Sequence, residues 1–237
     1  MRSLLAVLVL SACTGKPGSV TADPALWIGA PAEERTAFEV AVNAYGRDTG
    51  QKAHVMFASP PELVASGVRF DVVAVREAEG LQAWGPGNYV EARSYARDPV
   101  VLIGARPQPV TFAALGTERI VVADSRGSHT GRVTEAAWGR LRLRAELKVR
   151  LDYVSTVAQV VDRVRNGSIG VVLASDIANA KDIVVLDRVE NPAGHQIAIA
   201  VGSPHTAEAR RFLDVVTGAE TQASFAVYGL APPSPAR

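Results

Sequence analysis

The chain has 237 residues, enough for one large domain or two lobes that each enclose a core. Hydrophobic residues make up 48%, which argues for a folded protein, while 25 Lys and Arg scattered among 24 Asp and Glu argue against the basic face of a nucleic-acid binder. Cys13 is the single cysteine, so disulfides, CxxC redox sites and cysteine metal clusters are excluded together.

At the N-terminus, Arg2 precedes an apolar stretch, Leu4 to Ala12, too short to span a bilayer as a helix. It ends in Leu10-Ser11-Ala12-Cys13, which resembles the lipobox of bacterial lipoproteins, where the leader is cut before a cysteine that becomes acylated. Thr14 to Pro24, with Gly, Pro, Ser and Thr, reads as a flexible tether. Lipid and tether together imply a domain held at a membrane surface through Cys13, the alternative being a plain secretory leader with an incidental cysteine.

Ala25 to Ala30 is the first expected strand, and Glu33 to Arg47 carries Ala37, Phe38, Val40, Ala41, Ala44 and Tyr45 at helical spacing. Ala53 to Ala58 is a second strand, broken at Ser59-Pro60-Pro61, with a helical turn at Leu63 to Gly67. Phe70 to Val75 is almost wholly apolar, as buried parallel strands are. Glu77 to Arg97 is mixed, with Gly85-Pro86-Gly87 as a loop. Pro99 to Gly104 is the next strand, and the two prolines of Arg106 to Pro109 suggest a crossover.

Ile120 to Ala123 then reads as a buried strand feeding the polar loop Asp124 to Gly131 and a helix with Val133, Ala136, Ala137, Leu141 and Ala145 in register. Such a loop leaves backbone N–H groups that favour an anion, though on this stretch alone an ordinary N-cap at Ser128 or Thr130 is the preferred reading. Arg140, Arg142, Arg144, Lys148 and Arg150 read as a solvated helix face and the start of a strand. A strand at Lys148 to Val154, a helix at Thr156 to Arg165 and strands at Ile169 to Leu173 and Ile183 to Leu186 complete the middle portion. Gln196 to Val201 is a returning strand, followed by helices at Ala207 to Thr217 and Thr221 to Tyr228 and a Pro- and Ala-rich end. Alternating strands and helices specify an α/β fold.

In order and spacing these segments resemble the type II periplasmic solute-binding proteins of ABC importers, and within them the molybdate-binding proteins. The resemblance runs through Phe57-Ala58-Ser59, Phe70 to Val75, Val100 to Gly104, Ala123-Asp124 with Thr130-Gly131, Val164 to Gly167 with Gly170 to Leu173 and Ser175-Asp176, and the closing Tyr228-Gly229-Leu230. It implies two doubly wound lobes joined by two crossing strands. Residues 25–103 and 196–231 would form lobe 1 and 104–195 lobe 2, after a leader at 1–13 and tether at 14–24, with 232–237 a tail. Val100 to Gly104 and Gln196 to Val201 would be the hinge crossings, and the C-terminal helices would pack on lobe 1.

Family members hold a tetrahedral oxyanion in the cleft with two serines, a tyrosine hydroxyl and backbone N–H groups. Here the first serine falls on Ala32 or Glu33, with Ala32 preferred because a carboxylate would oppose a dianion. The second falls on Pro60, beside Ser59, and the tyrosine on Leu173. Only the backbone N–H groups of Thr130 and Val157 carry over, and the Gly131 N–H with the side chains of Ser128, His129 and Thr130 are further candidate donors. The ligand set expected from the resemblance is thus Ala32, Ser59, Ser128, Thr130, Gly131, Val157 and Leu173, with the Ser128 to Gly131 loop as the chief anion holder.

Gly127-Ser128-His129-Thr130-Gly131 has His129 where a nucleophile elbow needs Ser, and no Gly-Lys-Ser/Thr follows as in a P-loop. The four histidines lack metal spacing; His54 reads as a packed or rim residue and His195, at a turn, as exposed. Asp176 reads as a cap rather than a ligand. No nucleophile, base and orienting group assemble, so an enzyme ranks last, and no cofactor is implied. The expectation is a monomeric, lipid-anchored solute-binding protein in the periplasm or at the cell surface, handing a molybdate-like oxyanion to permease subunits. A different small anion or polar metabolite, or a degenerate module acting as a sensor or interaction protein, are the competing readings.

Overall fold

Wholly apolar strands form the centres of two separate five-stranded sheets, one in each of two lobes. The computed structural model describes residues 25–76, 78–85, 87–115, 119–140, 150–191 and 194–233. Cys13, the leader and the tether lie outside these residues, as do 234–237 of the tail and Arg142, Arg144 and Lys148 of the basic run.

In the first lobe, β1 (Leu26–Ala30), β2 (Ala53–Phe57) and β3 (Val72–Val75) run parallel, and two further strands, β4 (Tyr89–Arg97) and β10 (Gly194–Ala200), give the order β2-β1-β3-β10-β4. β10 is antiparallel to both β3 and β4. The second lobe repeats the plan with β5 (Val100–Gly104), β6 (Ile120–Ala123), β7 (Leu151–Val154), β8 (Ile169–Leu173) and β9 (Val184–Val189) in the order β7-β6-β8-β5-β9. β6 is parallel to β7 and β8, and β5 is antiparallel to β8 and β9. Every residue of β3, β5, β6 and β8 is buried, because helices cover both faces of each sheet.

α1 (Arg35–Thr49) buries Ala37, Phe38, Ala41, Ala44 and Tyr45 and closes on Gly50 in the left-handed conformation, φ 69°. α2 (Pro60–Ala65) and the short α3 (Ala78–Gln82) flank β3; α4 (His129–Arg140) and α5 (Val157–Arg165) flank the second sheet. The C-terminal helices α6 (Thr206–Thr217) and α7 (Ala219–Val227) return to the first lobe. There Phe212, Leu213, Val216 and Phe225 share one core with Phe38, Tyr45 and Tyr95. Edge-on ring pairs, Phe38–Tyr95 at 5.5 Å and Tyr45–Phe212 at 5.6 Å, add specific geometry to burial that is worth about 1.5–3 kcal/mol per large side chain.

Three expectations are corrected. β5 belongs to the second sheet, so the first crossing is Asp98–Pro99 rather than residues near 104–109, and Val100–Gly104 is not itself a hinge strand. Five consecutive buried residues need hydrogen-bonded neighbours on both sides, and β8 and β9 supply them. The second crossing precedes β10, around Glu190–Asn191, which places 194 and 195 with the first lobe. β4 is a nine-residue strand in the stretch read as mixed; it is a half-exposed edge, and Glu91, at φ 51°, interrupts its alternation.

Candidate functional site

Beneath the junction of the lobes lies a buried charge cluster built from five elements. Arg76 leaves the end of β3, Glu34 ends the 3-10 turn after β1, Tyr95 sits on β4, His195 on β10, and Asp98 is the crossing itself. The Arg76 guanidinium donates to Asp98 Oδ2 at 3.0 Å and reaches Ser175 Oγ, in the second lobe, at 3.4 Å. Asp98 also accepts from Ser175 N–H at 3.1 Å and Ser175 Oγ at 2.5 Å. His195 Nδ1 lies 2.7 Å from Glu34 Oε1, an ion-pair distance whose alignment falls short of a hydrogen bond, and the Tyr95 hydroxyl donates to Glu34 Oε2. His195 is therefore buried, at 1% exposure, and not at an exposed turn, because β10 starts at Gly194 and pins the ring between Tyr95 and Glu34.

Burial alone would raise the Glu34 carboxyl, but His195, Arg76 and Tyr95 outweigh it and hold the group below the usual carboxylate range. Burial likewise opposes the Arg76 charge, and Asp98 and then Glu34 more than offset it. The Tyr95 phenol is pushed well above its ordinary range by burial and the neighbouring Glu34 charge. Gly229 seals the junction: in the left-handed conformation, φ 80°, its Cα passes so close to Ala174 that a Cβ would sit 2.5 Å from the Ala174 carbonyl oxygen.

Above this cluster the lobes enclose a cleft of about 870 Å³. Ser59, Pro60 and Pro61, at the start of α2, line one wall, with Pro31, Glu33 and Ala83 nearby. The other wall is the flank of α4, where His129, Arg132, Val133, Ala136 and Arg140 follow helical spacing, and Arg76 lies at the base. Arg140 donates to Asn191 Oδ1 at 3.3 Å. Arg132 is exposed and has no ion-pair partner among the described residues. Glu33 is the one carboxylate among the described lining residues, against Arg76, Arg132 and Arg140.

The residues singled out from the sequence divide sharply. Ser59 lines the cleft, while its Oγ and N–H meet Glu62 at 2.6 and 2.9 Å in a capping box for α2. Ala32 is exposed in the 3-10 turn but does not line the cleft; its neighbour Glu33 does. Ser128 Oγ accepts from Gly131 N–H at 3.2 Å, and Thr130, 3% exposed, donates its hydroxyl to Asp176 Oδ2 at 2.7 Å. Gly131 is a close-packing glycine, since a Cβ there would lie 2.5 Å from the Ala123 carbonyl oxygen. Val157 opens α5 and packs with Val154 and Ile183 against the second-lobe core. Leu173 is fully buried among Ile120, Val122 and Val171, and its N–H donates to Asp176 Oδ2 at 3.1 Å. Asp176, raised by burial despite the Thr130 hydroxyl, is thus a structural acceptor.

The Thr130 hydroxyl and the Gly131 N–H are spent inside the protein, and the cleft runs along the flank of α4 from His129 to Arg140. Arg76, Arg132 and Glu34 were not singled out from the sequence, and Arg140 was read as solvated. A spacing of four, Arg132-Ala136-Arg140, was the available signal, but an ordinary solvent-facing stripe has the same spacing. Among the described residues no group of three or more His, Cys, Asp or Glu could hold a metal ion.

No curated protein matches the chain in a sequence comparison. Similar solved structures include the substrate-binding domain assigned to a molybdenum ABC transporter of Clostridium difficile, at 18% identity and TM-score 0.77, covering 88% of this chain and 99% of that one. The periplasmic molybdate-binding protein of Azotobacter vinelandii superposes with TM-score 0.60 at 16% identity, covering 88% and 100%. PEB3, a Campylobacter jejuni protein, in its L-phospholactate-bound form gives TM-score 0.62 at 12% identity, covering 87% and 99%. These likenesses establish the two-lobed fold. A profile of one sequence family matches residues 26–231, nearly all of the described chain, and by that match the protein belongs to the bacterial extracellular solute-binding proteins.

Proposed function

We propose that the protein captures a small anionic solute in the interlobe cleft and delivers it to the permease of an ABC importer. One observation carries this reading: Arg132 and Arg140 of α4, with Arg76 at the base, line a cleft in which Glu33 is the one carboxylate among the described lining residues. Closing such a cleft around an anion removes water from the charge pairs and strengthens each of them. A molybdate-like tetrahedral oxyanion is the solute suggested by the names of two structural neighbours. Anchoring through an acylated Cys13 completes the proposal; no helix among the described residues is long and apolar enough to cross a membrane.

A thermal-shift panel of molybdate, tungstate, sulfate, phosphate and small carboxylates tests the reading. An anion at 100 times its dissociation constant adds about 2.7 kcal/mol, or roughly 5–10 °C for a chain of this size. No shift with any anion at millimolar concentration would favour a degenerate module that has kept the fold and lost the ligand. For the anchor, Cys13→Ala expressed in a bacterial host releases the protein from the membrane fraction; retention contradicts acylation.

A further inference from the structure

We infer that the solute is an organic anion with an apolar body, gripped along the flank of α4 by Arg132 and Arg140, and not a bare tetrahedral ion. The inference rests on the cleft being the anion site and goes on to name the class of solute.

Volume is the first argument. A cleft of about 870 Å³ lies toward the upper end of the roughly 300–1,000 Å³ of pockets that take organic ligands. A four-oxygen ion fills about the space of a few waters, each with a share of roughly 30 Å³, and would leave most of this cleft wet.

Donor placement is the second. A tetrahedral dianion lacking bulk needs donors that converge on one point. Of the donors able to converge at the Ser128 to Gly131 loop, the Thr130 hydroxyl is given to Asp176 Oδ2 and the Gly131 N–H to Ser128 Oγ, so neither turns to an ion in the cleft. Arg132 and Arg140 are instead eight residues apart on one helix, a rise of about 12 Å, so positive charge is spread along a wall. Arg76 adds little net charge at the base, since Asp98 at 3.0 Å and Glu34 at 3.9 Å already face it.

The third argument is what lies between the charges. Ala136 sits one turn from each α4 arginine, and Val133, Pro60, Pro61, Ala58 and Ala83 extend the apolar surface across the cleft. Such a wall gives nothing to a fully hydrated oxyanion but stabilises a hydrocarbon body by roughly 25 cal/mol per Å² removed from water. A guanidinium fork fits the paired oxygens of a carboxylate or a phosphomonoester, which is the chemistry expected at the solute's charged end.

Calorimetric titration separates the outcomes. Wild type, Arg132→Gln and Arg132→Gln/Arg140→Gln are titrated with glutarate, phenyl phosphate, inorganic phosphate and molybdate, and the melting temperature of each unliganded protein is recorded. At least one of the two organic anions binds wild type tenfold or more tighter than phosphate and molybdate. The double change weakens that binding by about tenfold or more while the unliganded melting temperature stays within about 2 °C, as expected for exposed side chains. The carboxylate and phosphate arms tell the two headgroups apart. Molybdate or phosphate binding as tightly as both organic anions overturns the inference and leaves the anion site standing, as does organic-anion binding untouched by the double change. Absence of binding by all four to wild type removes the anion reading itself.

Discussion

Charge is handled in opposite ways above and below the interlobe cleft. Below it, Glu34, Asp98 and His195 are buried and Arg76 is mostly covered, each facing a partner from another element. Above it, among the described residues, Arg132 stands exposed with no ion-pair partner and Arg140 donates to the neutral amide of Asn191. A buried, mutually paired cluster holds two lobes in register and leaves Arg76 little charge to give a ligand. An exposed unbalanced stripe contributes little to stability and has its whole charge to offer. Arg76 touches both regions, and its pairing with Asp98 assigns it chiefly to the first.

The strongest way to break this contrast is Asp98→Asn. It leaves Arg76 without its nearest carboxylate at a site where Asp98 is fully buried, and a loss of about 3–5 kcal/mol in urea unfolding is expected. A loss under about 1 kcal/mol would show that the cluster does not tie the lobes.

Glu34→Gln sharpens the contrast through pH. The folded carboxyl titrates below its ordinary value of about 4.5, so the native state binds fewer protons than the unfolded chain as the pH falls past that value. Its stabilisation is complete above about pH 4.5 and is lost as the pH falls toward the folded pKa. Asp176 has the opposite sign: its carboxyl is raised, so its burial costs stability above its folded pKa, and acid relieves that cost. The melting-temperature gap between wild type and Glu34→Gln should be widest near neutrality and close in acid; a gap constant from pH 7 to pH 3.5 contradicts the assignment.

Thr130→Val removes one buried hydroxyl from Asp176, which keeps the Leu173 N–H, and should cost about 1–3 kcal/mol. Anion affinity should stay within about twofold, because that hydroxyl faces Asp176 and not the cleft. A larger loss of affinity would return the site to the Ser128 to Gly131 loop. Arg132→Gln has the smallest effect on stability, within about 0.5 kcal/mol by denaturant titration, although it is a change in the cleft wall.

Much of the fold is legible in the sequence because its central strands are unbroken apolar runs: Val72–Val75, Val100–Gly104 and Ile169–Leu173 announce buried sheet centres without tertiary information. β4 escapes because an edge strand with one wet face, and with Glu91 in the left-handed region, has no clean alternation. The lobe to which Val100–Gly104 belongs is hidden for a different reason: an apolar run says that neighbours exist, not which sheet provides them. His195 looks exposed beside Asn191-Pro192-Ala193-Gly194, and its burial depends on Glu34 and Tyr95, which only the folded chain brings near. The Ser128 to Gly131 loop is legible as a polar helix start, and what the sequence conceals is that Asp176 takes the Thr130 hydroxyl and Ser128 Oγ takes the Gly131 N–H. Arg140 differs from a solvated helix residue in lining the cleft with Pro60 and Pro61 and in donating to Asn191, relations that only the folded chain creates.

The central claim is that solute recognition lies on the flank of α4 and not at its N-terminal loop. A crystal structure of the protein with the tightest-binding anion of the titration panel tests it most directly. The account predicts the charged end of that anion within hydrogen-bond distance of the Arg132 or Arg140 guanidinium, with its body between Ala136 and Pro60. An anion seated instead on the backbone and side chains of Ser128 to Gly131, with both arginines turned to solvent, would contradict it.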